Sequence, residues 1–132
     1  MKIITFILFL LVSSAAYAQL DLKKAAAVSS ALGYDPAKIG KGAMDTLTPK
    51  LGLSADQATK VSGVIQKFLA NKSSFVSESK TKPSSYKTKL EAEQKTLVDG
   101  MKSNLTPEQV GTYTGLKPSQ TDTANSLYQL FY

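Results

Sequence analysis

The chain has 132 residues, a net charge of +6, no cysteine and no histidine. Those absences exclude a disulfide framework, the usual zinc, haem and copper ligands, the Ser-His and Cys-His nucleophile pairs and the commonest general base. All 16 cations are lysines dispersed among 10 acids, the pattern of a solvated face, whereas a nucleic-acid binder clusters arginine with aromatics.

In chain order, Met1 to Ala18 has the layout of a secretory signal: Lys2, an apolar run from Ile3 to Val12, and Ala16-Tyr17-Ala18 ahead of Gln19. Ser13 and Ser14 interrupt the run before the roughly 20 apolar residues that a membrane anchor needs. The expectation is an exported protein, periplasmic or secreted, with residues 1–18 removed and no stable membrane insertion afterwards. Residues 19–132 are then a single domain with one modest core.

The Ala-rich run from Leu20 to Leu32, with Gly33 as a stop, predicts a short first helix. Asp35-Pro36 reads as an N-cap followed by proline at the first helical position, and Ile39, Ala43, Leu47 and Leu51 recur behind it. Gly40, Gly42 and Pro49 predict that this second element is short, or broken before Thr48-Pro49.

Leu53-Ser54-Ala55-Asp56-Gln57 opens the strongest helix, carried by Val61, Val64, Ile65, Phe68, Leu69, Phe75 and Val76 to about Ser79. Lys80 to Ser85 predicts a turn. A further helix over Tyr86 to Ser103 follows, with Tyr86, Leu90, Leu97, Val98 and Met101 on its stripe. Glu93 and Gln94 occupy the core-facing turn in its middle, which marks either an edge of the core or a groove for an outside partner. Leu105-Thr106-Pro107-Glu108-Gln109 then opens a helix to about Leu116, Lys117-Pro118 ends it, and Ser119 is positioned to cap a last helix that turns Ala124, Leu127, Tyr128 and Phe131 inward. No stretch reads as a strand. The fold class expected is all-α, a small helical domain built on a long antiparallel helical hairpin with short flanking helices.

The two Leu-hydroxyl-x-x-Gln stretches share one physical content. Ser54 or Thr106 accepts from the backbone N–H three residues on, while Gln57 or Gln109 reaches back to the cap's own N–H, with Leu53 and Leu105 just outside as staple residues. Together with Tyr113 and Leu116-Lys117, these stretches resemble the two LTxxQ motifs of the Spy/CpxP-like exported helical proteins, over about residues 51–117. The resemblance implies an all-α domain, often dimerised into a cradle, acting as an ATP-independent chaperone or an envelope-stress sensor. Ser54 in place of threonine and the missing arginines depart from the pattern.

The functional expectation is a chaperone-like or stress-related binding protein that captures protein clients on an apolar helical surface without turnover. Its candidate contacts are Phe68, Phe75, Tyr86 and Met101, residues that at helical spacing also read as core. The alternative is a non-catalytic structural or interaction module of the cell envelope, bound to its partner through Leu127 to Tyr132. No catalytic residue, metal site or cofactor is expected. Glu91 and Glu93, two apart on a helix, do not form a carboxylate pair, and Glu78 with Lys82 and Glu91 with Lys95 read as surface ion pairs.

Overall fold

The computed structural model describes residues 33–132. The expected signal segment and first helix, over 1–18 and 20–32, lie outside them. The regular elements of the described chain are all helices: α1 (Pro36–Leu51), α2 (Ala55–Ser73), α3 (Glu78–Thr81), α4 (Pro83–Lys102), α5 (Pro107–Gly115) and α6 (Tyr128–Phe131). There is no strand among the described residues.

Asp35 caps α1 as its sequence predicts, its carboxylate accepting from the N–H groups of Ala37 and Lys38 with Pro36 behind it. The helix is not broken at Pro49, contrary to expectation. Pro49 and Asp45, whose carbonyl loses its helical donor, both lie on the exposed face, where water replaces the missing hydrogen bond. Gly52, with φ of 62°, closes α1 in the left-handed region that glycine enters without strain. Ala43, Leu47 and Leu51 are buried in the same core as α2 and α4, so this part of the chain belongs to the domain.

Both capping boxes are complete. Ser54 accepts from the Gln57 N–H and Gln57 from the Ser54 N–H at 3.2 and 3.1 Å, and Thr106 and Gln109 repeat this at 3.2 and 3.0 Å. Helix α2 stops at Ser73, short of the expected Ser79. The hydroxyls of Ser73 and Ser74 turn back onto the carbonyls of Ala70 and Asn71, a competition with the ladder that favours helix ends. The chain then reverses through α3, and Pro83 opens α4 three residues earlier than Tyr86.

Helix α2 packs most extensively, against α1 and α4. Asn71 donates to Glu93 and Val64 faces Gly100, so the paired positions on α2 and α4 run in opposite senses. The core is formed by Val61, Ile65, Phe68 and Leu69 of α2 with Leu47, Leu97, Met101, Tyr113, Leu127 and Leu130 from around it.

The last segment departs most from the sequence reading. Only Tyr128–Phe131 is helical, and Ala124 is exposed. Polar side chains between 119 and 127 hold turns instead: Ser119 bonds Thr121, Asn125 donates to Asp122, and the Asn125 carbonyl oxygen of the side chain takes the Leu127 N–H. The ion pairs also differ. Glu78 pairs with Lys89 at 2.8 Å and Glu91 with Lys87 at 3.9 Å, because the reversal through α3 turns Glu78 toward α4 instead of leaving it on a helix face with Lys82.

Candidate functional site

The two motifs meet. Gln57 donates to Gln109 at 2.9 Å and Gln109 returns the bond at 3.3 Å. Each amide sends its second N–H to the backbone just before the other's helix, Gln57 to the Asn104 carbonyl at 3.2 Å and Gln109 to the carbonyl of Leu51, the last residue of α1, at 3.1 Å. With the capping bonds counted, both amide nitrogens use both hydrogens and both amide oxygens accept twice. The boxes therefore act as a clasp that locks the starts of α2 and α5 together. No group in it is left over for a ligand.

A groove of about 630 Å³ opens at the other end of the bundle, between the start of α4 and the last segment of the chain. Tyr86, Leu90, Tyr128, Phe131 and Tyr132 line it, with Lys87 and Glu91 on its edge. Its aromatic walls are built from pairs: Tyr86 lies edge-on to buried Phe75 at 5.8 Å, Tyr128 against Tyr132 at 5.0 Å, and Phe131 is stacked on buried Tyr113 at 5.1 Å. Burial raises the Tyr86 phenol above its ordinary value, so it stays neutral and remains a donor at physiological pH.

Of the four candidate contacts, only half-buried Tyr86 reaches this groove. Phe68, Phe75 and Met101 are 3%, 4% and 0% exposed, taken up by the core between α2 and α4. They are core residues and do not form a surface with Tyr86. Leu53 is half-buried and Leu105 buried beside the clasp, as staple residues are. The apolar C-terminal run is likewise not a free interface: Leu127 and Leu130 are buried and dock on the domain itself.

Two residues hold that dock, of which the sequence reading passed over Lys72 and placed Gln94 at a gap in the core. Lys72 of α2, fully buried, donates to the Gln129 carbonyl and the Gln129 side-chain oxygen, each at 2.8 Å, and to the Tyr132 main-chain oxygen. Its ammonium also lies 5.9 Å from the Tyr34 ring centroid, while the Tyr34 hydroxyl donates to the Leu69 carbonyl at 2.9 Å. Gln94 of α4 donates to the Leu130 and Phe131 carbonyls at 3.3 and 2.7 Å. The four carbonyls that a helix end leaves unpaired are thus all taken by two side chains. Burial pushes the Lys72 ammonium down to about 7, against three acceptors that match the three N–H donors of its charged form. The signal was present in the sequence. Lys72 sits three residues after Leu69 and four after Phe68, on the apolar stripe of α2, where a solvated lysine has no place.

The gap at Glu93 and Gln94 has the same explanation. Gln94 faces the last segment and Glu93 accepts from Asn71, so that turn of α4 serves polar partners within the chain. Among the described residues no helix is long and apolar enough to cross a membrane. No family model, no curated protein and no solved structure matches the chain.

Proposed function

We propose that this is an exported, non-catalytic helical binding protein, chaperone-like or envelope-stress related, that holds apolar segments of other polypeptides without turnover. The observation that carries the reading is the aromatic groove of about 630 Å³, rimmed by Lys87 and Glu91. Half-exposed tyrosines suit that task, since each offers a large apolar face and one hydroxyl at little loss of side-chain freedom. The likeness of the paired motifs to those of the Spy/CpxP-like proteins supports the same role, including a homodimer as its oligomer. The absence of His and Cys from the chain argues against nucleophilic or metal-assisted chemistry.

Burial of Phe68, Phe75 and Met101 favours a second reading, an envelope interaction module with no chaperone activity, because it leaves little apolar surface to offer a client. One experiment separates the two. The mature protein, added to an aggregating client, suppresses light scattering at stoichiometric but not at catalytic ratios if the first reading holds; no suppression at either ratio leaves the module.

A further inference from the structure

We propose that the seat of the last segment, built by Lys72, Gln94 and the Tyr113 ring, is itself the client site, filled in the resting protein by the chain's own Leu127 to Tyr132 as a displaceable strap. The inference rests on the reading of the protein as a binder and names what it binds: an apolar helical turn of a client, patterned aliphatic-x-x-aliphatic-aromatic, with unpaired carbonyls at its end.

The strap displays that chemistry. Leu127 and Leu130 are the aliphatic pair, Phe131 stacks on Tyr113 at 5.1 Å, and the carbonyls of residues 129 to 132 are taken by Lys72 and Gln94. Recognition of this kind reads main-chain oxygens and three apolar positions, so it accepts many sequences, as a client site must. The strap is also constructed to leave. Helix α6 has four residues, too short to persist by itself, and it is joined to α5 by a stretch without helix between Leu116 and Leu127. Its remaining ties are few: the Tyr132 hydroxyl on the Pro118 carbonyl, the Tyr128 hydroxyl on the Gln120 carbonyl, the Thr46 and Ser126 hydroxyls, and Lys117 over the Tyr132 ring at 5.2 Å. Most of these stay within the last segment and move with it. Leu127 and Leu130 belong to the same buried cluster as the residues of α1, α2 and α4, whose other members come from those helices and α5, so local opening uncovers one side of that cluster. Opening exposes the Tyr113 face and carries the Tyr128, Phe131 and Tyr132 wall of the groove away, leaving Tyr86 and Leu90 beside the vacated seat.

Hydrogen exchange on the full chain tests this at the amides of Tyr128, Leu130 and Tyr132, which are hydrogen-bonded within the strap. They are expected to exchange at least tenfold faster than those of Ile65 and Leu69 in α2, and about tenfold faster again in Lys72→Met or Gln94→Ala with α2 unchanged. An amidated peptide of residues 125–132, added in excess, is expected to speed strap exchange in a saturable way while the mass rises by one peptide per chain. Strap and α2 amides exchanging together, or no response to millimolar peptide, overturns the proposal. So does a dimer whose strap amides lose their protection on dilution to the monomer, which gives the seat to the strap of a second copy. Peptide binding with no suppression of aggregation removes the chaperone reading and leaves the seat.

Discussion

The two ends of α2 solve the same problem in different ways. At its start, Gln57 meets Gln109 in a neutral clasp whose parts are each adjacent in sequence to the backbone they cap. Near its end, roughly 22 Å along the axis by helical rise, Lys72 brings a buried cation to carbonyls of residues 129 and 132. The clasp joins two helices that would form their caps without each other. The latch holds a segment that has almost no structure of its own. Fixed register therefore belongs to the clasp end and exchangeable contact to the latch end, because satisfied neutral amides lose little to solvent, whereas a desolvated lysine regains its hydration on release.

The largest effect is expected from Lys72→Ala. It leaves the Gln129 and Tyr132 carbonyls without donors and a void under Tyr34, at a loss of about 3 kcal/mol, seen in urea melts and confined by hydrogen exchange to the last segment. Loss spread evenly over α1 and α2 erases the contrast between the ends. Gln57→Ala and Gln109→Ala are expected to lose about 2 kcal/mol each, and clearly less than the sum when combined, because either one orphans the same partner amide. Additive losses mean that the glutamines act only as separate caps.

Between pH 7 and pH 9.5 the latch end is expected to become more stable, while the clasp, with no ionisable group, does not change. Lys72 binds its proton less tightly folded, at about 7, than unfolded. The unfolded chain therefore holds more protons across that window, and stability rises with pH. The groups facing Lys72 are the Tyr34 ring, Gln129 and Tyr132. Tyr34 has its own pKa raised by burial and stays neutral there. Strap protection that falls over this range contradicts the assignment. The smallest effect belongs to Glu78→Gln. The Lys89 ammonium donating to Glu78 holds its carboxyl below the usual carboxylate range, but the pair is open to water, so the melting midpoint should stay nearly unmoved and lose only the small part of its salt dependence that this pair supplies.

The helices whose start signals are local were legible directly. Asp35-Pro36, Ser54 to Gln57 and Thr106 to Gln109 each satisfy their own first turn from side chains within three residues, and the three- and four-residue steps of Val61, Ile65, Phe68 and Leu69 declare which face is buried. The site was less legible. Phe68, Phe75 and Met101 offered the same spacing whether core or surface, and burial is a property of what packs over them. Pro49 was overread because its effect depends on which face carries the lost bond.

By itself, then, the sequence determined an all-helical chain, its capped starts and the apolar stripe of α2, since propensity, capping and periodicity act over a few residues. Only the tertiary structure decided that the two glutamines face each other, that Lys72 is a buried donor, that Gln94 completes it, and that Leu127 to Tyr132 is a docked strap and not a free end. Those relations join residues 36 to 60 positions apart, and no local preference specifies a hydrogen bond across such a distance.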